Sequence, residues 1–87
     1  MMNLKKSDLV FISKLDIDVT LTARPVENSS GSKKVWSLEI RTKKEDTIEN
    51  GILIGARGEV REFKQLNAIY VLVEEIFGKG SKFEVII

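Results

Sequence analysis

Cysteine and histidine are both absent from this 87-residue chain, and proline occurs only once. The absence of cysteine excludes disulfide bonds, and the absence of both residue types excludes zinc sites of the usual Cys/His kind. It also excludes nucleophilic catalysis that depends on cysteine or histidine, because no serine has a histidine to activate its hydroxyl. We therefore expect a protein that is not an enzyme and that uses neither a metal nor a cofactor.

Long apolar runs and a strong charge of one sign are lacking as well. Fourteen basic side chains oppose thirteen acidic ones, so the net charge is +1. Nothing in this composition predicts a membrane span, or nucleic-acid binding by bulk positive charge alone. The N-terminal residues reach Asp8 before any long apolar stretch develops and so lack the pattern of a signal peptide, which predicts a cytoplasmic protein. The length predicts a single domain over residues 1–87.

Strict alternation of apolar and polar residues predicts two strands in the first half of the chain. Residues 16–24 alternate throughout, and residues 34–43 do so again, with β-branched and aromatic residues on one side. The Ser/Gly-rich segment 28–32 between them is typical of a turn, so we expect an antiparallel hairpin. The predicted core face of this hairpin consists of Ile17, Val19, Leu21, Ala23, Trp36, Leu38, Ile40 and Thr42.

Turn signals divide the middle of the chain into shorter segments. A charged turn is predicted at residues 43–46, and Asn50-Gly51 is a second turn signal because both residues tolerate positive φ. A third strand is expected over residues 52–57. Gly58-Glu59 then predicts a tight turn into a short strand at 60–63, with an early helical turn as the alternative.

One good helix is predicted, at residues 65–77, because its apolar residues recur at spacings of three and four. Gly78 is typical of the residue that ends a helix. Residues 82–87 predict a final strand, and residues 9–12 either a further short strand or a lid on the core. The expected fold is α+β, with a mainly antiparallel sheet of four to five strands and one helix packed on one face.

A single helix covers only one face of a sheet, so the opposite face must meet water or a partner. A two- or three-stranded ribbon can enter the major groove of DNA, where arginine reads guanine and lysines hold phosphates. The alternative is a solvated face whose charges serve solubility and prevent edge-to-edge aggregation. The candidate nucleic-acid-binding residues, on this face and at the strand ends, are Arg24, Lys33, Lys34, Glu39, Arg41, Lys43, Arg57 and Arg61.

Other candidate sites are weaker. Asp16 and Asp18 lie two residues apart on a predicted strand, a spacing that suits a metal or an acid/base pair, but a solvated strand edge is the favoured interpretation. The glycines between 51 and 58 do not have the spacing of a phosphate-binding loop. Several apolar residues exceed what one helix and one sheet can bury, which predicts a homodimer. They are Leu53, Val60, Val71, Leu72 and Ile86.

Two segments are similar to known families. Gly-Glu-Val-Arg-Glu-Phe-Lys-Gln-Leu-Asn-Ala at 58–68, continuing to Gly78 and then to Phe-Glu-Val at 83–85, resembles the C-terminal stretch of small accessory proteins encoded on bacterial plasmids and integrative elements. That resemblance covers about a third of the chain. It implies a role in plasmid or element maintenance, often with DNA as the partner.

The segment Val-Trp-Ser-Leu-Glu-Ile-Arg at 35–41, followed by a strand and an amphipathic helix, is similar in layout to AP2-like DNA-binding domains. That layout implies that Glu39 and Arg41 point outward from a three-stranded sheet into the major groove. The chain departs from the pattern at residues 52–56, which lack basic and aromatic readers, and in the strand after the helix. The sequence thus predicts a non-catalytic binding module with DNA as the leading partner, and a protein-interaction or assembly module as the alternative.

Overall fold

The computed structural model of this chain describes residues 1–26 and 34–86. Five strands form a single sheet in the order β1-β4-β3-β2-β5, and two helices accompany it, so the predicted α+β class is confirmed. Neither helix is long and apolar enough to cross a membrane. The elements are β1 (Met2–Leu4), α1 (Lys6–Ser13), β2 (Asp18–Pro25), β3 (Trp36–Lys44), β4 (Thr47–Leu53), α2 (Leu66–Phe77) and β5 (Glu84–Val85).

Both helices lie on the same face of the sheet, and the strand order explains why. The central strands β2, β3 and β4 pair antiparallel, while β1 pairs parallel to β4 and β5 pairs parallel to β2. Parallel strands need a crossover connection, which here is α1 between β1 and β2, and α2 between β4 and β5. Both crossovers run in the same direction across the sheet, so the right-handed rule puts both helices on one side. Within residues 1–26 and 34–86, no helix lies on the other side.

The core fills the space between the sheet and the two helices. Leu9 of α1 and Ile69 and Val73 of α2 are almost completely buried, against inward side chains of β2, β3 and β4. Each fully buried aliphatic side chain of this size contributes about 1.5–3 kcal/mol of transfer free energy. The remaining buried members of the cluster are Leu4, Leu21, Ala23, Leu38, Ile40, Leu53, Phe63 and Leu72.

The prediction of a single helix was only partly right, because a second helix, α1, contains residues 9–12, which were expected to form a strand or a lid. A run of four apolar residues has no periodicity, so its pattern fits a buried strand as well as a helix. The local signal for a helix is Asp8, whose carboxylate accepts a 2.8 Å hydrogen bond from the backbone N–H of Lys5 at the first turn. The prediction of a mainly antiparallel sheet was only partly right, since both outer strands pair parallel with their neighbours.

The predicted positions of the third strand and its preceding turn were also wrong. The chain reverses at Glu45, which has a φ of 55°, and β4 begins at Thr47 instead of residue 52. Asn50 and Gly51 therefore lie within β4 rather than in a turn. Gly51 is glycine because of packing: an added Cβ would lie 2.9 Å from Leu4 Cγ and closer still to Leu4 Cδ1. β1 approaches β4 too closely there for a side chain.

The other predicted elements are found close to their expected positions. The helix predicted at 65–77 is α2, and Gly78 follows it with a φ of 100°. Segment 60–63 makes only isolated bridges, between Val60 and Ile54 and between Phe63 and Trp36. The final strand is confined to β5. The predicted turn at 28–32, together with Lys33 and Ile87, lies outside the described residues.

Candidate functional site

The side of the sheet away from the helices, called here the open face, carries the outward side chains of the strands. The register of β2 and β3 aligns Thr20 with Arg41, Thr22 with Glu39, and Asp18 with Lys43. The prediction that the side chains of Arg24, Glu39, Arg41 and Lys43 point away from the core is therefore confirmed. Ser37 lies opposite Arg24 in the same register, but its side chain is buried and its hydroxyl donates a 3.5 Å hydrogen bond to the carbonyl of Arg24.

Polar side chains on the open face form hydrogen bonds with one another across neighbouring strands. Arg24 Nε donates a 2.9 Å hydrogen bond to Glu39 Oε2, an ion pair across the β2–β3 ladder. Arg41 Nε donates a 3.2 Å hydrogen bond to Asn50 Oδ1 across the β3–β4 ladder. These side chains line a depression of about 330 Å³ that Thr20, Thr22 and Glu84 also line. The depression offers both donors and acceptors.

The charge of the open face is balanced. Outward positions of β2, β3 and β5 hold three cations and three anions, and one of the cations, Arg24, is already paired. Attraction to a phosphate backbone depends on an excess of positive charge, which neutral pairs do not supply. The open face is therefore balanced in charge rather than basic. Its charged members are Asp18, Arg24, Glu39, Arg41, Lys43 and Glu84.

The remaining candidate cations do not extend the open face. Lys34 precedes β3 and lies in no strand, and Arg57 lies in the loop that follows β4. The guanidinium of Arg61 is 4.9 Å from the ring centroid of Phe63, a side chain of the core, so Arg61 packs at the core edge. Lys33 lies outside the described residues. Of the predicted residues that the structure describes, it brings together only Arg24, Glu39, Arg41 and Lys43.

The acidic pair predicted from the sequence is separated. Asp16 lies before β2 and lines a hollow on the helix side, while Asp18 is the first residue of β2 and lies opposite Lys43 on the open face. Within residues 1–26 and 34–86, no group of three or more acidic side chains is arranged to hold a metal ion.

Comparison of the chain with protein-family models, with curated proteins and with solved structures found no match. The site must therefore be judged on the chemistry of its own residues.

A second surface, which the sequence did not predict, lies on the helix side of the sheet. Here α1 and the residues after it stand beside β1 and the β3–β4 hairpin, leaving a hollow of about 290 Å³ that we call the α1 cleft. Three apolar side chains at this cleft are well exposed: Phe11 at 65%, Met2 at 49% and Leu15 at 42%. Its apolar lining is completed by Leu4, Ile12, Ile17, Ile40 and Gly51.

The shape of the α1 cleft follows from the elements around it. α1 has eight residues and rises about 1.5 Å per residue, whereas β3 has nine residues and β4 has seven, at about 3.3 Å per residue, so the hairpin is the longer element. Gly51, where a side chain is excluded by Leu4, leaves that part of the cleft lining without a side chain. A short helix beside a long hairpin therefore leaves apolar side chains uncovered.

Carboxylates border this cleft. Asp8 and Glu49 line it, and an adjoining hollow shares Leu15, Ile17, Thr42 and Glu49 with it. The adjoining hollow adds Asp16, Glu45 and a single cation, Lys44. Among the residues that the structure describes, the ion pairs are Arg24–Glu39 and Lys6–Glu75, so none of these carboxylates is in one. The border of the α1 cleft is acidic, in contrast to the balanced open face.

Part of the support for a homodimer is removed by the structure. Leu53 and Leu72, which were expected to exceed the capacity of one helix and one sheet, are buried in the same core cluster as Leu9 of α1. Val60, Val71 and Ile86 are exposed as expected. The exposed apolar residues that do cluster, Met2, Phe11 and Leu15, could have been suspected only if residues 9–12 had been recognised as a helix.

Proposed function

We propose that this chain is a non-catalytic protein-interaction module that binds an apolar segment of a partner protein in the α1 cleft. The observation that carries the proposal is the exposure of Phe11, 65%, at a hollow lined mainly by apolar side chains. Single exposed apolar residues are common on protein surfaces, but a contiguous group around a concavity is typical of an interaction site. Phe11, Met2 and Leu15 form such a group.

The cleft suits a short peptide segment better than a large flat interface. Its volume, about 290 Å³, is near the lower end of the range for ligand pockets, roughly 300–1,000 Å³. That space accepts one or two bulky side chains, and aromatic or aliphatic anchors in such hollows commonly carry most of the binding energy. The partner is therefore expected to insert apolar anchors beside Phe11.

Selection from a displayed library of random peptides tests this proposal. Selected peptides should contain apolar anchors, and their binding should fall at least about tenfold in Phe11→Ser, as expected when an aromatic anchor contact is removed. Val71→Ser is the matched control, because Val71 is 55% exposed on α2 and does not line the cleft. Failure to select any peptide, or peptides that bind Phe11→Ser and the unaltered chain equally, would contradict the proposal.

Nucleic-acid binding through the open face is a second candidate, favoured by one pair of side chains. Arg41 and Asn50 lie opposite each other on the neighbouring strands β3 and β4 of the sheet and share a hydrogen bond of 3.2 Å. In a major groove, arginine reads guanine and asparagine reads adenine. The balanced charge of the open face is the reason that we rank this candidate second.

A titration of labelled duplex DNA at two salt concentrations tests the second candidate. The expected result is binding that weakens with salt and that Arg41→Ala reduces, because loss of a bidentate base contact costs about 1–3 kcal/mol. Lys79→Ala, an exposed cation beyond α2, is the matched control. Absence of salt-sensitive binding at micromolar protein would exclude the DNA candidate and leave the peptide-binding proposal unaffected.

A further inference from the structure

The charges at the border of the α1 cleft indicate the charge of the segment that binds there. This inference rests on the proposed function above. We propose that the segment bound in the cleft is basic as well as apolar: its apolar anchors are flanked by lysine or arginine side chains. The partner is a separate protein that supplies this segment.

The argument starts from the sign of the charges around the cleft. Asp8 and Glu49 line it directly, and Asp16 and Glu45 line the adjoining hollow, where Lys44 is the one cation. The carboxylate of Asp8 accepts a 2.8 Å hydrogen bond from the backbone N–H of Lys5 and belongs to neither ion pair of the described residues. An arriving segment therefore meets four carboxylates and one ammonium group.

The same chain provides an internal comparison. Along the open face, acidic and basic side chains are matched in number, and Arg24 and Glu39 neutralise each other at 2.9 Å. Around the α1 cleft, neither ion pair of the described residues neutralises a carboxylate. Since the whole chain has nearly equal numbers of acids and bases, the excess of acid is a local property of the cleft.

Charge of one sign beside an apolar hollow selects between partners. The apolar anchors supply most of the affinity, while complementary charges at a solvated border supply selectivity and faster association. Each exposed pair contributes little, so two or three lysines should change the affinity by about five- to tenfold rather than by orders of magnitude. A negatively charged segment would be repelled by the same carboxylates.

Three versions of the strongest Phe11-dependent peptide from the library provide the test. They share its apolar anchors and carry lysine, glutamine or glutamate at the flanking positions, and their dissociation constants are measured by fluorescence anisotropy. At about 0.02 M salt the lysine version should bind about five- to tenfold more tightly than the glutamate version, with the glutamine version between them. At about 0.5 M salt the three should converge, because exposed charges are screened.

Neutralising the border separates its effect from that of the anchors. Asp16→Asn combined with Glu49→Gln should reduce the difference between the lysine and glutamate versions to less than about threefold. Glu62→Gln combined with Glu84→Gln removes the same charge from exposed positions that do not line either hollow, and should leave the difference unchanged. All four substitutions are at exposed positions, so the fold should tolerate them.

The failures of the two proposals can be told apart. Absence of any Phe11-dependent peptide overturns the proposed function and this inference together. Equal affinity of the three versions, or tightest binding of the glutamate version, overturns only the basic character of the partner. A further outcome would be sedimentation in which the chain self-associates through Phe11 and the lysine peptide displaces this association. That result would overturn the proposal that the partner is a separate protein, because the occupant of the cleft would then be a second copy of this chain.

Discussion

Neighbouring residues of β3 show how different the two sides of this sheet are. Ile40 is 1% exposed and lies in the core, whereas Arg41 is exposed and donates a hydrogen bond to Asn50. On the helix side, apolar side chains pack into the core, and the α1 cleft on that side has an acidic border. On the open face Arg24 and Glu39 form an ion pair between β2 and β3, and Arg41 donates a hydrogen bond to Asn50 of β4. The contrast shows that the side of the sheet without helices can be balanced in charge while exposed apolar side chains gather on the side that the helices cover.

Substitutions of Ile40 and Arg41 should give the largest difference in the free energy of unfolding between the two sides of the sheet. Ile40→Ala removes buried methyl groups from the centre of the sheet and should lower the free energy of unfolding by about 2–5 kcal/mol. Arg41→Ala removes an exposed side chain and should change it by less than about 0.5 kcal/mol. Urea denaturation of both variants measures the difference. If Ile40→Ala does not fold, Ile40→Val should still lower stability, by about 0.5–1.5 kcal/mol.

Gly51→Ala provides a sharper test of the close approach of β1 to β4. The added methyl group must displace Leu4, which is buried, so we expect a loss of about 1–3 kcal/mol in the free energy of unfolding. Asn50→Ala is the matched control on the opposite side of the same strand and should change stability by less than about 0.5 kcal/mol. A thermal melt that ranks Asn50→Ala below Gly51→Ala in stability would contradict this account of β1.

The ion pair of the open face should contribute less to the free energy of unfolding than the packing at Ile40 or Gly51 does. Arg24 and Glu39 are partly exposed, with side-chain exposures of 49% and 22%, so water screens their attraction. A double-mutant cycle of Arg24→Ala and Glu39→Ala should give a coupling energy of at most about 1 kcal/mol, and less at high salt. A much larger, salt-insensitive coupling would show that the open face is covered, against its assignment as the solvated side.

The smallest effect is expected on α2, outside both surfaces. The Tyr70 hydroxyl donates a 2.9 Å hydrogen bond to Glu74 Oε2, which raises the pKa of Tyr70 because the hydrogen bond and the carboxylate charge both favour the protonated phenol. A raised pKa in the folded state gives a small stabilisation at lower pH that is lost as the pH rises through that pKa.

Glu74→Gln should return the Tyr70 pKa toward its ordinary value, which a titration of phenolate absorbance detects, because Tyr70 is the sole tyrosine. Peptide binding in the α1 cleft should not change in this variant. A change in binding would mean that the interaction surface reaches α2.

The sequence identified the parts of the fold in which one period dominates. Strict alternation placed β2 and β3 within two residues of their observed positions and assigned Arg24, Glu39 and Arg41 to the side without helices. The spacing of Leu66, Ile69 and Val73 located α2. These elements are readable because each has one buried side and one solvated side, so the periodicity records the environment.

The α1 cleft could not be predicted in this way. The run Leu-Val-Phe-Ile at 9–12 contains both a core residue, Leu9, and an exposed one, Phe11, but its letters do not distinguish them. The polar segment at 47–50 does not resemble a strand, yet it pairs with β3 over its full length. In both places long-range packing overrides local preference, as it commonly does for short elements.

By itself the sequence determined the α+β class, the faces of the central strands and the absence of thiol and imidazole chemistry, because alternation and composition are local properties of the chain. Only the tertiary structure decided that a second helix joins α2 on the same side, that β1 approaches Gly51, and that acidic side chains gather beside exposed apolar ones. Those features join residues distant in sequence, such as Phe11 and Glu49, and depend on which strands become neighbours.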